Sequence, residues 1–297
     1  MIRFARLSLL AALLASVASA ADIAPTLQKI RDSNTLLLGY REVSLPFSYL
    51  DSQGRPIGYS IDLCQQVLAA VKKQLQLPGL QAKYVAVTPM TRFPLLQEGR
   101  IDLECGSTSN TLERQQQVAF SLNTYVTAVR IAVRTESGIH NLKQLDGRAV
   151  VTTTGSTAEQ LLHKLAQQYH LDIKNYYAAE HSASFWMLAS GQATAFVMDD
   201  VLLAGAIANA RNPQEFAVVG PALAVTPYGL VMRKNDPQFK QLVDDTLRGL
   251  MQSGELEKLY QKWFMSPIPP KGINLNLPMN EQTRAAMRHP SDRGSAP

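Results

Sequence analysis

Residues 100–114 read RIDLECGSTSNTLER, in which an apolar, strand-like run leads into small and hydroxyl-bearing residues and then into a Glu-Arg pair. Asn110 and Glu113 have the spacing of a capping box, which predicts that a helix begins at about Thr111. Backbone N–H groups at a helix start favour an anion, and Arg114 could grip a carboxylate with two hydrogen bonds. An ordinary capped helix with a surface arginine fits the same residues, so both interpretations stay open.

A second segment repeats this arrangement in the other half of the chain. Residues 149–169 read AVVTTTGSTAEQLLHKLAQQY, where a β-rich run is followed by a Gly-Ser-Thr turn and a helical pattern. Ser156 and Glu159 form another capping box, which predicts that the helix starts at Thr157. Loops at the carboxyl ends of parallel strands are where open α/β sheets bind ligands. Two such loops predict a ligand held between two lobes.

We expect polar groups from both loops to bind one carboxylate of that ligand. Ser109 and Arg114 would contact it from one side, and Thr157 from the other. Asp199 closes the apolar run ATAFVMD and could offer a negative charge to an ammonium group. An acidic residue at a strand end is also commonly solvated, so Asp199 is a candidate on weaker grounds.

Strands and helices alternate along most of the chain. Residues 35–42 and 82–87 read as strands, and Ser60 is placed to cap a helix between them. The predicted buried face of this helix comprises Ile61, Cys64, Val67, Leu68, Val71 and Leu75. Short turns between alternating strands and helices predict mostly parallel α/β sheets.

An internal echo hints at two similar lobes. Phe93 precedes Gly99 by six residues, as Phe185 precedes Gly191, and each glycine is followed by an apolar strand that ends in polar residues. The β-rich segments 124–134 and 222–234 are candidate crossings between the lobes, and they would return the helical segment 239–264 to the first lobe. The expected organisation is a first lobe of residues 21–128 with 229–265, a second lobe of residues 129–228, and an extended tail at 266–297.

The first twenty residues have the features of a secretory leader. Arg3 and Arg6 precede an apolar stretch from Leu7 to Val17, and small residues ending at Ala20 follow. We expect cleavage after Ala20, with a buried N-terminal helix as the alternative. Cleavage lowers the formal charge from +5 to +3. Such a small excess predicts neither nucleic acid nor an acidic polymer as a partner.

Cys64 and Cys105 are the two cysteines of the chain. A disulfide between them and two buried free thiols are both open, and either role is structural. The sequence has no CxxC and no His/Cys cluster that would indicate a metal, and no motif supports a triad built from a serine, His181 and Asp199. We therefore expect no metal, no cofactor and no catalytic residue.

The chain resembles a known family, the periplasmic amino-acid-binding proteins of ABC transporters. The resemblance is carried by PFSYLDSQGRPIGYSIDL, CGSTSNTLER, the GST at 155–157 and FVMDD. Within the family the chain is most similar to the glutamate/aspartate-binding branch, through GYRE, TRFPLLQEGRIDLECGSTSN, MDDVLLAG and SPIPPKGINLN. The resemblance covers nearly the whole chain after the leader. It implies the type II periplasmic-binding-protein fold, with two α/β lobes whose mostly parallel central sheets are joined by two hinge crossings.

The resemblance also implies a ligand set. In the family, residues matching Ser109, Arg114 and Thr157 bind the α-carboxylate, and those matching Asp199 and Ser107 bind the α-ammonium group. In the glutamate/aspartate branch, the distal carboxylate is met by basic residues that match Arg41, Arg92 and His181. A dicarboxylic ligand that is closed away from water needs such opposite charges and hydrogen bonds.

The chain departs from the branch at one position of this side-chain site. The branch usually has a serine in a TSxxR pattern, and this chain has Pro89 in the serine position. Thr88 or Thr91 could supply a replacement hydroxyl group. The preference between glutamate and aspartate stays open for this reason.

The function implied is that of a monomeric periplasmic protein that captures glutamate or aspartate in an interlobe cleft and delivers it to the permease subunits of an ABC importer. A ligand that contacts both lobes favours the closed form. Two alternatives are a cyclohexadienyl dehydratase-like enzyme on the same fold and a sensory ligand-binding subunit. A dehydratase would need a buried acid or base beside the ring of its ligand, whereas the predicted cleft residues are mostly donors suited to anions.

Overall fold

Two five-stranded sheets organise the protein. The computed structural model describes residues 25–296, so the predicted leader at residues 1–20 lies outside the described range. The strands of the first sheet, in their order across it, are β5 (Gln81–Ala86), β1 (Thr35–Tyr40), β6 (Leu103–Glu104), β13 (Val231–Met232) and β7 (Ala119–Phe120). Those of the second sheet are β10 (Lys174–Ala178), β9 (Ala149–Thr153), β11 (Ala195–Asp199), β8 (Tyr125–Arg134) and β12 (Phe216–Tyr228).

The two sheets share one topology. In each, the fourth strand across, β13 or β8, runs antiparallel to both of its neighbours, and the other four strands run the same way. The prediction of two similar α/β lobes with mostly parallel sheets is therefore confirmed. A small antiparallel sheet beside them consists of β2 (Val43–Ser44), β3 (Ser48–Leu50) and β4 (Pro56–Ile57).

Helices connect and cover the strands. Their bounds are α1 (Pro25–Ser33), α2 (Tyr59–Leu75), α3 (Arg92–Gln97), α4 (Thr157–Tyr169), α5 (His181–Ala189), α6 (Asp200–Ala208), α7 (Pro237–Ser253), α8 (Glu255–Phe264) and α9 (Glu281–Arg288). The predicted apolar face of α2 is buried throughout. The helical segment predicted at 239–264 is divided at Gly254, whose φ of 77° ends α7.

The chain passes between the two sheets at two short connections. Residues 121–124 join β7 to β8, and residues 229–230 join β12 to β13. Strands β8 and β12 pair with each other close to both connections, from Tyr125 opposite Tyr228 onward. The boundary between the lobes, expected at residue 128, therefore lies inside β8. This strand already pairs in the second sheet from Tyr125 onward.

The helix expected at Thr111 does not form. The segment makes a turn and a short 3-10 helix, Arg114–Gln116, and Glu113 makes no capping hydrogen bond there. The side chain of Asn110 is used elsewhere: its Oδ1, the atom that would cap a helix, accepts from Gln115 Nε2 at 2.8 Å, and its Nδ2 donates to Asn123 Oδ1 at 2.9 Å and to the carbonyl oxygen of Asp292 at 2.9 Å. The capping-box prediction was wrong here because both ends of the Asn110 amide have other partners.

Ser60 is not the cap of α2, which is a second correction. Helix α2 begins at Tyr59, and the hydroxyl of Ser60 donates to the carbonyl oxygen of Gly106 at 2.7 Å. Gly58 takes the cap position with a φ of 137°, and a Cβ there would lie 2.2 Å from the carbonyl oxygen of Phe47. This conformation and this close approach both require glycine.

The tail expected to be extended contains a helix. After the end of α8 the chain runs through α9, and Asn280 caps α9 through a hydrogen bond from the backbone N–H of Thr283 at 2.7 Å. The Pro-rich composition predicted an extended segment. Residues 281–288, EQTRAAMR, contain no proline or glycine and are rich in helix-forming residues, and they form the helix.

A disulfide joins Cys64 of α2 to Cys105, the residue after β6. Of the two possibilities left open, the bridge is the one confirmed, and both cysteines are fully buried. It fixes α2 to the start of the loop that carries Ser107 and Ser109.

Replacing both cysteines with alanine should lower the free energy of unfolding by about 4 kcal/mol, because the bridge closes a chain segment with a sequence separation of 41 residues. Urea denaturation of the oxidised protein and of the Cys64→Ala/Cys105→Ala variant measures the difference. A reductant should bring the wild type close to the variant. A loss smaller than about 1 kcal/mol would contradict a stabilising role.

Candidate functional site

A small cavity of about 10 Å³ lies between the two sheets. It is lined by Arg41, Pro89, Arg92, Ser107, Ser109, Arg114, Ser156, Thr157, His181, Met198 and Asp199. These residues lie at or just after the carboxyl ends of β1, β5 and β6 in one sheet and of β9, β10 and β11 in the other. The structure thus brings all eight sequence-predicted ligand residues together, at the place where α/β sheets bind ligands.

Arg114 links the two loops that the sequence singled out. Its Nη1 donates within its own loop to the carbonyl oxygen of Ser109 at 3.1 Å, and its Nη2 donates across the cavity to the carbonyl oxygen of Gly155 at 3.0 Å. The hydroxyl groups of Ser109 and Thr157 lie 3.2 Å apart. Arg114 and two hydroxyl groups therefore converge from both lobes on one spot.

Helix α4 starts at this spot as the sequence predicted. Ser156 Oγ accepts from the backbone N–H of Glu159 at 3.2 Å, and the Glu159 carboxylate accepts from the N–H of Gly155 at 2.7 Å. The second capping box is therefore confirmed, with Thr157 as the first helical residue. The N-terminal end of a helix of this length carries partial positive charge that favours an anion.

Three guanidinium groups are buried around the cavity. Arg41, Arg92 and Arg114 are 0%, 3% and 8% exposed. Arg92 Nη1 donates to Thr108 Oγ1 at 2.6 Å, and that hydroxyl donates to Glu104 Oε2 at 2.8 Å. Burial and then the nearby Arg114 lower the pKa of Arg92 to about 9. This value is still well above neutral pH, so Arg92 stays cationic there.

Several buried polar atoms of the cavity have no hydrogen-bond partner within residues 25–296. They are Arg41 Nε and Nη1, Arg92 Nε, Ser107 Oγ and Asp199 Oδ1, and Glu104 Oε1 behind the cavity is a further case. Leaving a buried charged or polar atom unpaired costs free energy. The cavity therefore contains both unpaired hydrogen-bond donors and an unpaired acceptor. Most of the unpaired atoms are donors, and the acceptor is the carboxylate oxygen of Asp199.

Asp199 is held by an aromatic residue of the strand next to the crossing. The hydroxyl of Tyr228 donates to Asp199 Oδ2. The ring of Tyr228 packs edge-on against Phe47 at 5.2 Å between centroids. Burial raises the pKa of Asp199 to about 6, against the hydrogen bond from Tyr228, which lowers it. Asp199 is consequently ionised at neutral pH and protonated in mild acid.

His181 is neutral, which changes one expectation from the sequence. Its Nδ1 lies 2.9 Å from Thr153 Oγ1. Burial, and then the charges of Arg41 and Arg92, keep the pKa of His181 well below its ordinary value. The resemblance implied a basic residue here, whereas the environment makes His181 a hydrogen-bonding group without charge.

The hydroxyl groups beside Pro89 are used locally. Thr88 Oγ1 accepts from the backbone N–H groups of Met90 at 3.2 Å and Thr91 at 3.1 Å. Thr91 Oγ1 accepts from the backbone N–H of Thr88 at 2.9 Å. Neither threonine lines the cavity, while Pro89 does. The hydroxyl that the branch usually supplies is therefore replaced by an apolar ring.

Sequence reasoning missed one charged residue at the cavity edge. Arg41 Nη2 forms an ion pair with Glu180, whose side chain is 25% exposed. Arg41 follows β1 of the first sheet and Glu180 precedes α5 of the second, so this pair links the lobes. The only signal in the sequence was an acidic residue directly before His181. Other supporting residues that were missed are Glu104, Thr108, Thr153 and Tyr228.

The described residues give no support to metal or triad chemistry. Within 25–296, no group of three or more His, Cys, Asp or Glu residues is arranged to hold a metal ion. His181 and Asp199 hydrogen-bond to Thr153 and Tyr228 instead of forming a relay with a serine. None of the helices in the same range is long and apolar enough to cross a bilayer.

Sequence comparison finds close relatives of the chain in several bacteria. The glutamate/aspartate import solute-binding protein of Salmonella typhimurium is 44% identical over 283 residues, which cover 94% of this chain and 94% of the relative. The L-glutamate/L-aspartate-binding protein of Pseudomonas aeruginosa is 43% identical over 289 residues, with coverage of 97% and 96%. Both relatives are named as binding proteins, and the Salmonella relative is named for import.

The fold and the family agree with these relatives. Among solved structures, a mutant of ArgBP from T. maritima superimposes with a TM-score of 0.71 at 26% identity, covering 80% of this chain and 98% of its own. The profile of the bacterial extracellular solute-binding proteins, family 3, matches residues 36–266. With this match, the shared two-lobed fold and relatives above 40% identity, the chain belongs to family 3 of the bacterial extracellular solute-binding proteins.

Proposed function

We propose that this protein captures an acidic L-amino acid, glutamate or aspartate, between its lobes and delivers it to the permease of an ABC importer from the periplasm. The observation that carries the proposal is the cavity with three buried guanidinium groups and one buried carboxylate, several of whose polar atoms lack partners. The names of the Salmonella and Pseudomonas relatives support the same ligand. We further propose that residues 1–20 are a leader and that the mature protein is a monomer.

The proposed ligand lies with its two ends on different donors. Arg114, Ser109 and Thr157 hold the α-carboxylate beside the start of α4. Asp199 Oδ1 and Ser107 Oγ receive the α-ammonium group. The unpaired nitrogens of Arg41 and Arg92 bind the side-chain carboxylate, and His181 adds a hydrogen bond. In this pose, one molecule satisfies each unpartnered cavity atom named above except Glu104 Oε1.

We propose that the connections at residues 121–124 and 229–230 are the hinge of a closing motion. The ligand touches both lobes, so it binds the closed form more tightly than the open form and shifts the population toward closure. Within the described residues, the first lobe would then comprise residues 25–124 with 229–265, so its first boundary would lie at residue 124 and not at residue 128. Residues 125–228 would form the second lobe.

Titration calorimetry of ligand-free protein with L-glutamate, L-aspartate, L-glutamine and L-arginine tests the function. We expect the two acidic amino acids to bind at least tenfold more tightly than glutamine, because an amide cannot pair with the Arg41 and Arg92 charges. Tightest binding of a neutral or basic amino acid would rule out the acidic ligand. Turnover of prephenate would favour the dehydratase alternative.

Substitution of Arg114 should affect ligand binding differently from substitution of Arg92 or His181, which face the side chain of the ligand. Arg114→Ala is expected to weaken binding of glutamate and glutamine alike by more than about a hundredfold, since it removes a buried charged partner of the shared α-carboxylate. Arg92→Ala or His181→Ala should weaken glutamate more than glutamine. The same calorimetric assay measures both, with the exposed Arg31→Ala as the control. A uniform loss in the Arg92 variant would contradict the assigned orientation.

Binding should depend on pH through Asp199. The ligand ammonium needs the ionised carboxylate, and the pKa of Asp199 is about 6. The side-chain carboxyl of glutamate, with an ordinary pKa of about 4.3, is still mostly ionised at pH 5. The Kd for glutamate is therefore expected to rise about tenfold between pH 7.5 and pH 5. An affinity that does not change over this range would contradict ammonium binding at Asp199.

Asp199→Asn provides the control for that pH dependence. Because the folded pKa lies above the unfolded value, the ligand-free wild type loses stability as pH rises from about 4 to about 6, by about 3 kcal/mol in all. The side-chain amide that Asp199→Asn introduces carries no charge, so the variant should bind glutamate poorly. Because it also lacks the pH-dependent loss of stability, it should unfold at a higher urea concentration than the wild type at pH 7.5. The difference should vanish near pH 4.

Glu180→Gln should sharpen selectivity for acidic ligands. The Glu180 carboxylate occupies Arg41 and repels the side-chain carboxylate of the ligand, so its neutralisation should raise the ratio of glutamate to glutamine affinity about fivefold. A change in closure alone would affect both ligands and leave the ratio constant. Glu42→Gln, beside Arg41 but exposed, is the matched control. A lower ratio in Glu180→Gln would contradict this role.

A further inference from the structure

The tail after α9 lies directly on the loop that carries Ser109 and Arg114. The carbonyl oxygen of Asp292 accepts hydrogen bonds from Asn110 Nδ2 at 2.9 Å and from Gln115 Nε2 at 2.7 Å. The backbone N–H of Ser295 donates to the carbonyl oxygen of Asn110 at 3.0 Å, and that of Leu112 donates to Ser295 at 3.0 Å. Tail and loop thus pair like two short strands.

The tail and the loop approach each other so closely at Gly294 that a side chain there would not fit. A Cβ added to Gly294 would lie 2.8 Å from the carbonyl carbon of Thr111 and 3.0 Å from the backbone nitrogen of Leu112. Both of these are backbone atoms, which cannot swing aside as a flexible side chain does. Glycine at this position therefore permits the tail to approach the loop.

Two further attachments hold the tail in place. Asn280 and Thr283, at the start of α9, bond to both backbone groups of Val126: Thr283 Oγ1 accepts from its N–H at 2.9 Å, and Asn280 Nδ2 donates to its oxygen at 2.8 Å. Nearer the end, the backbone N–H of Asn123 donates to the oxygen of Ser291 at 2.9 Å. The tail is therefore fixed to the first crossing as well as to the loop.

The loop takes its hydrogen-bond partners from two sides. Toward the second crossing, the backbone N–H of Asn110 donates to the carbonyl oxygen of Pro227 at 2.7 Å. Toward the tail, Asn110, Leu112 and Gln115 bond to residues 292 and 295. Ser109 precedes these residues and Arg114 lies among them, so the tail contact is one of the supports that position both ligand-binding groups.

We propose that residues 291–295 are a positioning element for the α-carboxylate site, a role that rests on the proposed function. They act through the loop and do not touch the ligand. Release of the tail leaves the loop to be ordered at the moment of binding, which lowers affinity. Since every amino acid presents an α-carboxylate, acidic and neutral ligands should lose affinity in equal proportion.

Gly294→Ala in the full chain tests this role, with Gly249→Ala as its matched control because a Cβ at Gly249 meets nothing within 4 Å. We expect Kd to rise about tenfold for both glutamate and glutamine in the Gly294 variant, with their ratio unchanged. Hydrogen exchange of the Leu112 N–H should be faster in that variant. The Gly249 variant should match the wild type in all three readouts.

Unchanged affinities in Gly294→Ala, or a shifted ratio, would overturn the positioning role. Should this variant fail to fold, Asn280→Ala replaces it, since it removes the bond from Asn280 Nδ2 to the oxygen of Val126 at 2.8 Å, which holds the tail but does not touch the loop, and predicts a smaller loss in the same direction. If the wild type binds no amino acid, the proposed function fails, and the exchange rate of Leu112 still tests whether the tail orders the loop.

Discussion

The buried positive charge of Arg41, Arg92 and Arg114 is the constraint on which the rest of the site depends. Three guanidinium groups in one cavity repel each other and lose their hydration, so each needs anionic or dipolar partners. The protein supplies part of this through Glu104, Glu180 and Asp199. The atoms that stay unpaired among the described residues define the charge pattern of the cavity: the nitrogens of Arg41 and Arg92 favour an anionic group, and Asp199 Oδ1 favours a cationic one.

The three carboxylates differ in how firmly they are held, and this divides their roles. Glu104 is fully buried and tied to Arg92 through Thr108, so it acts as a fixed counter-charge. Asp199 is oriented by Tyr228, with one oxygen left facing the cavity. Glu180 is partly exposed and lies across the lobes from Arg41, where a ligand carboxylate can compete with it.

Local patterns in the sequence predicted structure where neighbouring residues determine it. The α2 face, the Ser156 capping box and the loops that carry Ser109 and Thr157 depend on period and adjacency, whereas the candidates Arg41, Arg92 and His181 came from the family resemblance. The differences come from tertiary contacts: Asn110 is held by Gln115, Asn123 and Asp292 instead of capping a helix, and the pKa of His181 is lowered by burial and then by Arg41 and Arg92. Most of these contacts join residues that are far apart in the chain, so a local sequence pattern cannot predict them.

A crystal structure of the protein with L-glutamate is the most direct test of the account, because the central claim is that one ligand completes the unpaired atoms of the cavity. We expect the α-carboxylate on Arg114 and Thr157, the ammonium on Asp199 Oδ1, and the side-chain carboxylate on Arg41 and Arg92. A ligand bound in the reverse orientation, or outside this cavity, would contradict the account.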